Sequence, residues 1–139
     1  MITRLLLAYD GSEPAMRAFE FALDLARHYH TPLHLLAVVR PPDFGTEVET
    51  EAIIEHSRHH YRHLLQKLSA RLQNEPIEAV SEIVVGHPAE QILHYADRHH
   101  IDHIVVGHRG RTIFGRLLIG SVARQVIAYA NCAVTVVRS

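Results

Sequence analysis

Apolar positions along the chain fall into short continuous blocks and longer stretches with helical spacing. Ile2 to Tyr9 is almost continuously apolar, the pattern of a strand buried on both faces. Asp10-Gly11-Ser12-Glu13-Pro14 predicts a turn into a helix. Ser12 can cap it, and a proline in the first turn costs nothing because its missing N–H would have had no intrahelical partner. Ala18, Phe19, Ala22, Leu23, Leu25 and Ala26 then recur at helical spacing as far as His30. Leu33 to Val39 predicts a second strand, Pro41 to Gly45 a break, and about Val48 to Leu72 a long helix. Ala79 to Val85 predicts a third strand, and Gly86-His87-Pro88 a turn into a helix over Ala89 to His100. Ile101 to Val106 predicts a fourth strand that ends at Gly107. Residues 108–119 read as a loop with room for a helical turn, Ser121 to Ala130 as a helix, and Cys132 to Val137 as a fifth strand.

Strands and helices therefore alternate at spacings that permit right-handed crossovers. That order predicts an α/β fold with a mostly parallel sheet and helices on both faces. With no repeat or linker, residues 1–139 read as one domain. Ligands in such folds sit beyond the carboxyl ends of the strands, where strand order reverses. Asp10 follows the first strand and Gly107 ends the fourth, so both turns face one crevice if those strands are neighbours.

Composition narrows the function classes. The chain is 47% hydrophobic and 21% charged, and 14 basic against 15 acidic residues leave a net charge of −1. That balance argues against a broad electrostatic grip on nucleic acid. No apolar run reaches the roughly 18–20 residues that span a bilayer, so no membrane insertion is expected. The first residues carry no basic leader pattern, and the single Cys132 cannot form an internal disulfide. The cytoplasm is the expected compartment.

The segment with chemistry in it is Gly107-His108-Arg109-Gly110 through Gly120-Ser121, a G-x2-G-x9-G-S pattern between a strand and a helix. Its glycines let the backbone turn sharply and approach a ligand closely. The first N–H groups of the following helix lack intrahelical partners and form an anion site. Ser121 adds a hydroxyl, and Arg109 and Arg111 add positive charge. The competing reading is a glycine-rich loop with Ser121 as an ordinary helix cap. The pattern is neither a Walker A loop nor a Rossmann fingerprint.

On these residues the chain resembles the universal stress protein family. The likeness extends to the Asp10-Gly11-Ser12 turn and to Gly86-His87-Pro88-Ala89, and it covers the whole sequence. Gly107-x2-Gly110-x9-Gly120-Ser121 is similar to the loop of the ATP-binding members. The resemblance implies a five-stranded parallel sheet of order 3-2-1-4-5 and a homodimer through the last strand. It implies ATP, ADP or AMP as ligand, with or without Mg2+. Asp10 would accept from the ribose hydroxyls, Val38 would meet adenine through its backbone, and Ala8 would line the adenine side. Gly107, Gly110, Gly120, Ser121 and Val122 would surround the phosphates. His108 stands where relatives often have a small hydroxyl residue; it either contacts the nucleotide or points to solvent.

The function so implied is a nucleotide-dependent stress-response regulator with little or no turnover, acting through an unknown protein partner. A hydrolase needs a positioned base and a charge clamp, and Asp10 is the one carboxylate the sequence places in the crevice. A slow ATPase or a phosphoryl or nucleotidyl transferase is the alternative. A weaker one is a metal-binding module, because the chain has 13 histidines. His56, His59, His60 and His63 share one face of the long helix, a spacing that can bind a transition metal, although a solvated polar face is the plainer reading. Charging them together at low pH would weaken that helix by a few tenths of a kcal/mol per pair. His28, His30, His99, His100 and His103 read as lying near helix ends, where a protonated ring is favourable.

Overall fold

The structure is a computed structural model that describes residues 1–108 and 120–138. Among these residues, strands and helices alternate as β1 (Leu5–Ala8), α1 (Glu13–Tyr29), β2 (Leu33–Val39), α2 (Glu47–Leu72), β3 (Ala79–Val85), α3 (Pro88–Arg98), β4 (His103–His108), α4 (Ser121–Tyr129) and β5 (Ala133–Arg138). The strands form one parallel sheet in the order β3-β2-β1-β4-β5, as the resemblance implied.

Side-chain alternation along the strands assigns each residue to one of two cores. Leu5, Leu7, Leu33, Leu35 and Val105 pack with Ala18, Phe19 and Ala22 of α1 and with Leu65, Leu68 and Leu72 of α2. Leu6, Leu36, Ile104 and Val106 pack on the other face with Ile92 and Tyr95 of α3 and Ala123 and Val126 of α4. Leu5, Leu6 and Leu7 are fully buried because β1 is the central strand and has helices on both sides. Such burial contributes about 1.5–3 kcal/mol per large aliphatic side chain.

Element ends differ from the sequence reading for local reasons. β1 starts at Leu5 rather than Ile2. The backbone N–H groups of Thr3 and Arg4 donate instead to the Asp102 carboxylate, at 2.9 and 3.2 Å. β4 starts two residues later than expected and runs on to His108, pairing Gly107 with Val137 and His108 with Arg138. His108 is thus strand, not loop. α2 starts at Glu47 through a capping box: Glu49 N–H donates to Thr46 Oγ1 at 3.1 Å, and Thr46 N–H donates to Glu49 Oε2 at 3.0 Å. α1 is capped by Ser12, whose hydroxyl accepts from Ala15 N–H at 3.2 Å.

His56, His59, His60 and His63 are all exposed on α2. No group of three or more ligating side chains suited to a metal ion occurs among the described residues. His103 is a strand residue rather than a helix-end one, with Nε2 2.7 Å from Thr135 Oγ1. No described helix is long and apolar enough to cross a membrane.

Candidate functional site

The chain leaves β1 towards β2 and β3, but β4 and β5 lie on the other side of β1. The switch in order falls between β1 and β4, and the turns that follow them diverge to leave a crevice. A cavity of about 480 Å³ opens there, within the range of roughly 300–1,000 Å³ typical of small-molecule sites. Ala8, Asp10, Val38, Gly107, His108, Gly120, Ser121 and Val122 all line it. These are eight of the sequence-predicted site residues. The other three, Arg109, Gly110 and Arg111, lie outside the described residues.

Each wall has a local cause. After β1 the chain reverses through Gly11, whose φ of 82° is left-handed and therefore suits glycine. The Asp10 carboxylate accepts Ser12 N–H at 2.9 Å, which closes the turn and holds the side chain at the mouth. Tyr9, 5% exposed, has its phenol pushed above the ordinary range by burial and then by the Asp10 charge. Gly107 has a different reason to be glycine. A Cβ there would come within 2.4 Å of the Pro14 carbonyl oxygen, so glycine lets the end of β4 lie against the first turn of α1.

On the far wall α4 begins at Ser121, and Gly120 is its cap residue with no side-chain capping bond. Ser121 is therefore the first helical residue and not the cap, and its side chain is exposed at the cavity. The N-terminal N–H groups of α4 and the Ser121 hydroxyl meet at this wall. Together they suit an anion. α3 also starts at the cavity, with Pro88 and Ile92 in the lining.

Asp10 is the one carboxylate among the described lining residues, and Arg40 the one arginine. Arg40, Ser57 and Tyr61 were not singled out from the sequence. Arg40 directly follows β2, a position the strand reading could have flagged. Ser57 and Tyr61 are one turn apart on α2, and only the docking of that helix brings them to the crevice. His108 is 4% exposed, so its ring does not point to solvent.

Comparison with known proteins agrees with this geometry. The model of the universal stress protein family matches residues 1–138. A universal stress protein of Thermus aquaticus is 34% identical over 99% of this chain and 100% of its own length. The solved universal stress protein UspA of Lactobacillus plantarum superposes with a TM-score of 0.83 at 29% identity, covering 99% of this chain and 98% of that one. The structure of an Archaeoglobus fulgidus universal stress protein in complex with dAMP is similar at a TM-score of 0.67 and 25% identity, over 99% of each chain.

Proposed function

Because the chain belongs to the universal stress protein family, we propose that it binds an adenine nucleotide in the crevice between β1 and β4 and acts as a nucleotide-dependent regulator in the stress response. The observation that carries this reading is the uncapped start of α4, with Ser121 free of the cap position, at a cavity of about 480 Å³. The relative from Archaeoglobus fulgidus in complex with dAMP supports it.

In this reading Asp10 accepts from the ribose hydroxyls, and Val38 meets the adenine through its backbone with Ala8 alongside. Gly107, Gly120, Ser121 and Val122 surround the phosphates, with Arg109, Gly110 and Arg111 completing that set from the sequence motif. ATP is the proposed resident nucleotide, with ADP or AMP as alternatives, and Mg2+ would neutralise the phosphates when present. Asp10 is the sole described lining carboxylate, and its acceptance of the Ser12 N–H suits recognition better than base catalysis. In this reading turnover is little or none. The protein would act in the cytoplasm and signal through a protein partner.

Calorimetric titration of nucleotide-stripped protein with ATP should give about one site per chain. Absence of binding at millimolar ATP would refute the proposal. Sustained phosphate release would instead favour a slow ATPase. Gly120 has φ −60° and ψ 158°, which any residue can adopt, so Gly120→Val should remove binding by filling phosphate space while the protein stays folded.

β5 is an edge strand with partly exposed Val134, Thr135, Val136 and Val137. An unpaired apolar edge invites pairing, and pairing with a second copy would give a two-fold dimer. Light scattering at micromolar concentration should give twice the chain mass of 15.7 kDa; a monomeric mass counts against the dimer.

A further inference from the structure

His108 is buried beyond what a simple lining role requires. The residue is 4% exposed, and among the described residues neither Nδ1 nor Nε2 has a hydrogen-bond partner. Buried polar atoms in native proteins are nearly always partnered, and an orphan asks for an explanation. The ring lines the crevice, and side-chain alternation along β4 puts it on the same sheet face as Ile104 and Val106, the face covered by α3 and α4.

Two helices start beside it. Pro88 of α3 and Ser121 of α4 both line the cavity. Neither helix has a side-chain cap, whereas α1 and α2 are capped by Ser12 and Thr46. The α3 and α4 ends therefore bring partial positive charge to the crevice with no side-chain oxygen to absorb it. An anion there would meet helix N–H groups, and the unpartnered His108 ring lines the same cavity.

We propose that His108 is a phosphate-positioning residue: one ring N–H donates to a phosphate oxygen of a nucleotide held at the N-terminal ends of α3 and α4. The inference rests on the adenine-nucleotide reading for the identity of the ligand. A neutral imidazole always carries one N–H, so donation requires no protonation. The ligand class is a nucleoside phosphate; a nucleoside without phosphate gains nothing from His108.

The test uses the full chain stripped of nucleotide. Adenosine, AMP and inorganic phosphate are titrated into wild type, His108→Phe and His108→Asn. Phe keeps a planar ring without donors, and Asn restores an N–H donor. AMP affinity should fall about tenfold or more in His108→Phe and recover in part in His108→Asn. Adenosine affinity should stay within about twofold, because a hydrogen bond to a charged group is lost only with the phosphate. The ligand-free melting temperature of His108→Phe should not fall, since no buried polar atom is left orphaned. Equal losses for adenosine and AMP would overturn the proposal and make the ring a wall of the pocket. Unchanged AMP affinity would also overturn it. If His108→Phe does not fold, His108→Asn decides: its ratio of AMP to adenosine affinity should remain above that of an otherwise matched His108→Ala. Wild type that binds inorganic phosphate through His108 but not AMP would keep His108 as a phosphate donor and sink the adenine-nucleotide reading. Wild type that binds AMP without help from His108 would do the reverse, and binding of neither would overturn both.

Discussion

Replacing Gly107 with alanine separates a glycine that serves the ligand from one that serves the fold. The added Cβ would lie 2.4 Å from the Pro14 carbonyl oxygen, 2.5 Å from its carbon and 2.8 Å from Ala15 N. Ordinary contacts of this kind need roughly 3.5 Å, so a gap of about 1 Å must open. All three neighbours are backbone atoms in the first turn of α1, and none can rotate away. α1 is anchored by the Ser12 cap and by Ala18, Phe19 and Ala22, each fully buried. The strain must therefore move the end of β4 or the start of the helix. Overpacking of a well-packed core costs about 1–3 kcal/mol, and a purely backbone conflict belongs at the upper end. For a chain of 139 residues, about 3 kcal/mol corresponds to a fall in Tm of roughly 10 °C. The assay is a thermal melt of nucleotide-free protein, followed by nucleotide titration. Affinity should also fall, because the displaced turn carries Asp10, so the ligand-free melt is the deciding measurement. A Tm within about 2 °C of wild type, with nucleotide binding lost, would show that the glycine is there for the ligand.

Stability should fall as pH drops through the histidine range, and the structure adds a cause outside α2. His34 is held below the usual histidine range, first by burial and then by the nearby His99 and Arg4 charges, against the opposing pull of Glu78 and Glu82. Its Nδ1 lies 2.7 Å from the Tyr95 hydroxyl, whose own pKa is pushed up to about 12, chiefly by burial and then by Glu82. His103 is lowered by burial, with Asp102 acting in the opposite direction. A lowered folded pKa means the unfolded chain takes protons first. The contribution is complete above the unfolded value near pH 6.5 and is lost below it, levelling off once the folded groups also protonate. Melting curves between about pH 7.5 and 5.5 should show this fall, and a His34→Gln, His103→Gln double variant should flatten it. If the slope survives there but vanishes when His56, His59, His60 and His63 are replaced, like-charge repulsion on α2 is the cause. A second stability gain lies at helix ends. His30 and His100 close α1 and α3 at φ 53° and 54°, a left-handed conformation that suits glycine. Each change to glycine should stabilise by about 0.5–1 kcal/mol, read as a small rise in Tm; a fall would mean that the imidazoles contribute more than the strain costs.

The run of elements was legible from local residues alone, because the spacing of apolar residues and the capping residues are local properties. Ser12 and Pro14 marked the start of α1, and continuous apolar runs marked the central strands. Apolar spacing placed the start of α2 near Val48 and passed over the Thr46-x-x-Glu49 capping box that sets it at Glu47. The motif from Gly107 to Ser121 also pointed to the end of the sheet where the cavity opens, since it sits between a strand and a helix. Tertiary structure decided what those residues face. Gly107 reads locally as a ligand glycine, but the register of β4 beside α1 turns its missing side chain towards Pro14. His108 reads locally as the first residue of an open loop, yet β4–β5 pairing extends through it and α3 and α4 cover its sheet face. Ser57, Tyr61 and Arg40 reach the cavity only after α2 docks and β2 pairs with β1. Those contacts join residues far apart in sequence, and their geometry depends on how whole strands and helices pack, which no local window of side chains encodes.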